Sequence, residues 1–158
     1  MIRRIKQADV GAVEKILKKI PAFTTVEVDV AMELVNIAAN NPMQEDYHVF
    51  VYELENSILG YHCTGKRPLT DGVYDLYWIA SDQESNVKGI GKSLLEHAEA
   101  FVAQNKGRWL LAETSSKESY LKTRNFYLKN SFSVVAQIEN FYSDGDHLVI
   151  FGKYFSKQ

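Results

Sequence analysis

A chain of 158 residues with 46% hydrophobic residues and a formal net charge of −2 is sized for one domain with a substantial core and is too apolar to be disordered. That charge, with no dense basic run, gives no electrostatic basis for a nucleic-acid partner. A single cysteine, Cys63, excludes an intrachain disulfide and fits a reducing compartment. No apolar run reaches the length of a membrane span, and the stretch Met1 to Lys6 lacks the apolar core of a signal peptide, so a cytoplasmic protein without a membrane partner is expected.

In chain order, Ile2 to Ile5 reads as a short strand, and a helix follows from about Asp9 with Val13, Ile16, Leu17 and Ile20 on one face and Pro21 closing it. A second helix is expected over Val26 to Ala39, although the β-branched Val26–Val30 segment also suits an extended chain. After the polar loop Met43–Asp46, Tyr47 to Leu54 and Ile58 to Gly65 read as a hairpin around Glu55-Asn56-Ser57. Val73 to Ser81 is the next strand. A helical pattern follows with Leu94, Leu95, Ala98, Phe101 and Val102 on one face. Arg108 to Thr114 is an apolar strand, Tyr120 to Asn130 a helix, and Phe132 to Tyr142 with His147 to Phe155 a terminal hairpin turning at Ser143–Asp146. The order β-α-α-β-β-β-α-β-α-β-β is a mixed α/β layer arrangement of one domain, residues 1–158.

Between the fourth strand and the third helix lies Asn86-Val-Lys-Gly-Ile-Gly-Lys-Ser-Leu-Leu95. It follows a strand and opens a helix. Gly89 and Gly91 permit a tight turn, and the free N–H groups of a helix N-terminus attract an anion, so a phosphate or pyrophosphate cradle is one reading and a plain connecting turn the other. Gly91-Lys92-Ser93 also matches the end of a nucleoside-triphosphate P-loop, but Asn86 stands where that loop needs its first glycine.

The stretch is similar to the pyrophosphate loop of the GNAT-type N-acetyltransferases, Arg/Gln-x-x-Gly-x-Gly/Ala, with Asn86 in place of Arg or Gln. Two further segments resemble the same family: Tyr74 to Ser81, like the strand before that loop, and Asn125-Phe126-Tyr127-Leu128-Lys129-Asn130-Ser131-Phe132, like its Phe-Tyr-x-x-x-Gly-Phe segment. Ser131 replaces the usual glycine, which leaves Asn130 as the residue expected to turn left-handed. The resemblance covers nearly the whole chain and extends to a subgroup of small prokaryotic acetyltransferases without assigned substrates. It implies a mostly antiparallel central sheet of about seven strands with four flanking helices, and acetyl-CoA as cosubstrate.

By motif position, the resemblance assigns Val87, Lys88, Gly89, Ile90, Gly91 and Lys92 to the pyrophosphate, Ile79, Ala80 and Ser81 to backbone pairing with pantetheine, and Tyr120 to a further CoA contact. An ammonium must lose a proton before its nitrogen can attack a thioester. Asp75, where the family often has Glu, is one candidate base and Glu113, at the end of an apolar strand, the other, acting directly or through water. A strand-edge or turn role for Asp75, and capping of the following helix or pairing with a basic side chain for Glu113, explain them equally. Tyr127 occupies the place of the family's tyrosine near the thioester sulfur and is the candidate acid; a core aromatic is the alternative. The acceptor is a small-molecule amine or a peptide or protein amine, with Glu45 and Asp46 in the Met43–Asp46 loop able to attract a cation. His48, His62, His97 and His147 show no metal-ligand spacing and no metal is expected; Cys63 reads as packing, and Lys15, Lys18 and Lys19 as a solvated face. The terminal hairpin offers an edge for a homodimer. Two other readings stand beside acetyl transfer: an acyl-CoA-binding domain without turnover, and a P-loop phosphotransferase.

Overall fold

The computed structural model describes residues 1–156. Among them are β1 (Ile2–Arg4), a 3-10 turn at Gln7–Asp9, α1 (Val10–Lys18), α2 (Thr25–Asn40), β2 (His48–Leu54), β3 (Ser57–Lys66), β4 (Val73–Ser81) and α3 (Ile90–Gln104). Then come β5 (Trp109–Ser115), a 3-10 turn at Glu118–Tyr120, α4 (Leu121–Lys129), β6 (Ser133–Ser143) and β7 (Asp146–Tyr154). The strands form one seven-stranded sheet in the order β1-β2-β3-β4-β5-β7-β6. It is mixed: β4 and β5 pair in parallel, whereas β1–β2, β2–β3, β5–β7 and β6–β7 are antiparallel. The expected α/β layout, seven strands and four helices, is the one found. No helix among the described residues is long and apolar enough to cross a membrane.

The chain divides into two compact units, one made of Met1–Gly65 with Tyr77–Phe101, the other of Lys66–Leu76 with the chain from Val102 onward. In the first unit the pairs Val49↔Cys63 and Val51↔Tyr61 face one way and Phe50↔His62 the other. Both faces are buried. Val49, Val51, Tyr61 and Cys63 pack with Val13, Ile16 and Leu17 of α1 and Val28, Ala31 and Val35 of α2. The β-branched Val26–Val30 segment is helical after all, because Thr24 and Glu27 form a capping box: Thr24 Oγ1 accepts from Glu27 N at 3.2 Å, and Glu27 Oε2 accepts from Thr24 N at 2.7 Å.

In the second unit Ala112 of β5 and Phe151 of β7 are register partners, and Tyr127 of α4 stacks on Phe151 with ring centroids 5.5 Å apart. The end of α4 corrects one expectation. Asn130 keeps an ordinary backbone (φ −103°) and its side chain donates to Phe126 O at 2.8 Å. Ser131 takes the left-handed conformation instead, with φ 67°. Phe132 N then donates to Tyr127 O at 3.1 Å and Ser131 N to Leu128 O at 3.3 Å, the two bonds of a Schellman motif.

Candidate active site

In the first unit, β4 leads into the proposed cradle. Asp82 N donates to Leu59 O at 2.8 Å, which ends β4 against β3, and Val87 N donates to Ser85 Oγ at 3.1 Å. Gly89 then turns left-handed at φ 81°, and Ile90 begins α3. A Cβ on Gly89 would meet nothing within 4 Å, so its backbone conformation is what calls for glycine here. Gly91 lies inside the first turn of α3. Ile90 is buried, Val87 half-buried, and Lys88, Gly89 and Lys92 exposed, so the turn lies at the surface while an isoleucine anchors the helix. Lys92 Nζ lies 3.7 Å from Glu96 on the exposed face of α3.

What seats α3 there is Gly60 on β3, a residue the sequence did not single out. A Cβ at Gly60 would come within 2.8 Å of Ala80 O, 2.9 Å of Leu94 Cδ1 and 3.0 Å of Ile90 Cγ2. The helix start therefore rests on bare strand backbone. Ile79 and Ser81 are half-buried and Ala80 buried. The β4–β5 ladder consists of Val73↔Trp109, Tyr74↔Leu110 and Asp75↔Leu111, and β4 continues beyond it to Ser81.

Beside the cradle, α3 covers a histidine pair that sequence reading treated as separate residues. His62 is fully buried. Its Nε2 is hydrogen-bonded to His97 Nδ1 at 2.9 Å and its Nδ1 to Thr64 Oγ1 at 3.0 Å, and Phe50 stacks on its ring. Burial, with His97 adding to it, pushes the His62 pKa down to about 3; burial also lowers those of His97 and His48. Burial raises the Cys63 thiol to about 12, which leaves it a packing residue rather than a nucleophile. No group of three or more His, Cys, Asp or Glu among the described residues is placed to hold a metal ion.

The second unit holds the candidate acid and bases. Asp75 is buried at 8% exposure, and both its oxygens accept from Arg67, Oδ2 from Nε at 2.9 Å and Oδ1 from Nη2 at 2.7 Å. The same Nη2 lies 3.5 Å from Glu113 Oε1, whose side chain is 46% exposed. The two candidate bases are thus joined through Arg67, which sequence reading left inside an unremarked loop; its only signal was a cation following a strand that pairs with an Asp-bearing one. Asp75 raises the guanidinium's pKa further, so Arg67 remains charged. Tyr127 is buried between the rings of Phe132 and Phe151, and that burial raises its hydroxyl's pKa. Tyr120 is half-buried at the start of α4, its N–H donating to Lys117 O at 3.1 Å.

The loop after β5 is tied down nearby. Ser115 Oγ donates to the buried Asp146, and accepts from Lys117 N at 3.1 Å. Arg124 Nη1 donates to Ser115 O at 2.8 Å and Lys117 O at 2.7 Å. Glu45 and Asp46 are exposed.

A glycine turn that opens a helix after an over-running strand, on a mixed seven-stranded sheet, defines the fold of the GNAT acetyltransferases. Residues 45–134 match the acetyltransferase (GNAT) domain family, and the chain belongs to that family. A protein assigned to the GNAT acetyltransferases from Desulfovibrio desulfuricans superposes with a TM-score of 0.92 over 98% of each chain at 35% identity. The ribosomal-protein-S18-alanine N-acetyltransferase of Escherichia coli shares the fold at TM-score 0.76 and 18% identity, covering 100% of this chain and 95% of its own. An aminoglycoside 6'-N-acetyltransferase complexed with coenzyme A does so at TM-score 0.74 and 12% identity, covering 100% and 98%. No curated protein sequence matches the chain. With the family shown, the P-loop reading of Gly91-Lys92-Ser93 falls, as Asn86 already indicated.

Proposed function

We propose that this protein is an acetyl-CoA-dependent N-acetyltransferase that moves the acetyl group to a primary amine by direct attack in a ternary complex. The observation that carries the reading is the left-handed Gly89 turn feeding the N-terminus of α3, in a chain whose family is acetyltransferase. N–H groups of Lys88 to Lys92 would hold the pyrophosphate, with Val87, whose own N–H donates to Ser85 Oγ, lining the turn. The backbone of Ile79, Ala80 and Ser81 would hold the pantetheine, with Tyr120 a further contact. The acceptor is a small-molecule amine or a peptide or protein amine, and the work is done in the cytoplasm.

In this scheme Asp75 or Glu113 takes a proton from the acceptor ammonium, and the freed nitrogen attacks the thioester carbonyl. The C–N bond forms, the C–S bond breaks, and the second ammonium proton is released to solvent. Tyr127 serves the leaving sulfur. Because burial raises its hydroxyl, it stays protonated at neutral pH and acts as a hydrogen-bond donor that gives up its proton only as the thiolate develops.

A thermal-shift titration with acetyl-CoA, CoA and ATP–Mg tests the proposal. A ligand that binds only the native state adds about 2.7 kcal/mol at a hundred times its Kd. Both CoA species should raise the melting temperature and ATP–Mg should not; thiol release with an amine panel follows. A melt unmoved by either CoA species would sink the reading. CoA stabilisation that survives Tyr127→Phe, with no thiol release in any form, would favour an acyl-CoA-binding domain instead.

A further inference from the structure

Register pairs Asp75 with Leu111, and Glu113 stands two residues further along β5, so both carboxylates project from one face of adjacent strands. Arg67 bridges them, and its own place is fixed. Its N–H donates to Val73 O at 2.8 Å, and its carbonyl accepts from Thr70 Oγ1 at 2.7 Å. Its guanidinium occupies both oxygens of Asp75. To take a proton, Asp75 would have to give up charge-assisted hydrogen bonds. Glu113 would not: it meets Arg67 through Oε1 alone, and Oε2 has no partner among the described residues. The three groups sum to one negative charge, the complement of an ammonium. Aliphatic surface flanks that charge: Leu111 lies on the same face of β5, Ile150 is the register partner of Glu113 on β7, and both are half-buried.

We propose that Glu113 is the carboxylate that receives the acceptor, that Arg67 is its positioning residue, held by Asp75, and that the acceptor is a primary amine carried on an apolar body. This rests on the acetyl-transfer reading above. Glu113 takes one proton from the ammonium and leaves the nitrogen lone pair free for the thioester carbon.

The test measures thiol release from acetyl-CoA against pH with phenethylamine and ethanolamine as probes, in the full chain and its E113Q, D75N, R67Q and R67K variants. E113Q should lower kcat at neutral pH by about 100-fold, and the deficit should shrink as pH approaches the amine's own pKa, where solvent supplies the free base. D75N and R67Q should raise KM and lower kcat less while keeping the wild-type pH profile, and R67K should recover part of the loss. Phenethylamine should show a KM at least about tenfold below that of ethanolamine. The half-exposed Glu113 makes E113Q the variant that must fold, and its CoA-dependent melting shift should equal that of wild type. A pH profile lost in D75N and kept in E113Q would overturn the assignment, and equal KM values would overturn the apolar acceptor. A wild-type chain that binds CoA but releases no thiol with either amine overturns the transfer reading itself, and the role of Glu113 with it.

Discussion

The two units build their candidate sites from different materials. In the first, the candidate cradle is backbone: Gly89 turns, α3 begins, and bare Gly60 lets the helix sit low on the strand. Beneath α3 the buried His62 bonds to the buried Thr64 and the half-buried His97, a neutral cluster, and the unit's buried carboxylate, Asp9, is paired with Arg3. In the second, the candidate chemistry is charged side chain: Arg67 with Asp75 and Glu113, and Lys117 with Asp146 at 3.5 Å. Backbone sites yield only to changes that move the chain. Sites made of paired charges yield when one partner is removed, because the other is left in a medium that solvates it poorly.

The largest expected effect breaks the charged side of this comparison. Arg67→Met strands the buried Asp75 carboxylate. Removal of one partner from a buried ion pair costs roughly 3–5 kcal/mol, and Arg67's 39% side-chain exposure places the loss toward about 3. Arg67→Met with Asp75→Leu should recover most of it, since a hydrophobic replacement of the whole pair is close to neutral. Urea melts of the single and double variants check this, and a double variant no more stable than the single would mean the pair is not the source of the loss.

On the backbone side, Gly60→Ala should cost about 1–3 kcal/mol by forcing Ala80, Leu94 and Ile90 apart. It should also reduce the melting shift given by CoA, because the start of α3 is what moves. Full CoA affinity in a destabilised Gly60→Ala chain would separate helix seating from the cradle.

Acid sharpens the contrast between neutral and charged interiors. The folded pKa of His62, about 3, lies below the unfolded value near ~6.5. Between those values the unfolded chain binds more protons, so stability is full above pH 6.5 and falls as pH drops, by about 1.4 kcal/mol per pH unit for one histidine. Denaturation midpoints from pH 7 to pH 5 should show at least this slope in wild type. His62→Gln should remove that share and leave the part contributed by His97 and His48, whose pKa values burial also lowers. The carboxylate of Asp9, which its bond to Arg3 keeps below the usual range, does not titrate in that window. A flat wild-type profile would show that the pair is not held neutral.

Much of this was legible in sequence, and the remainder has identifiable causes. Strand and helix periodicity located the elements, with β4 matching residue for residue, because amphipathic patterns are local. The Val26–Val30 ambiguity was resolvable too: Thr24-x-x-Glu27 is a written capping box. The Arg67–Asp75–Glu113 network and the His62–His97 pair were not legible, since each depends on strand register and helix placement across 8 to 46 residues of chain. Gly60 carried no local signal either. A glycine within a strand pattern says that something approaches the backbone, and only the fold says that it is α3.

The smallest expected effect concerns the end of α4, where the chain pays for lacking the family's glycine. Ser131 holds φ 67°, a conformation that costs a residue with a Cβ roughly 1–2 kcal/mol. Ser131→Gly removes that strain but frees the unfolded chain, which returns about 0.4–1 kcal/mol of the gain. A net stabilisation of about 0.5–1 kcal/mol is expected. Asn130→Gly should do the reverse: Asn130 has no left-handed strain to relieve and would lose its bond to Phe126 O. Because Phe132 N closes the motif on Tyr127 O and the two rings lie 5.4 Å apart, the turn also fixes the seat of the candidate acid. Ser131→Gly should therefore raise the melting temperature and leave kcat unchanged, which separates the geometry of the turn from the identity of the residue that makes it. If Asn130→Gly stabilised the chain and Ser131→Gly did not, the left-handed residue would be Asn130, as the sequence alone suggested.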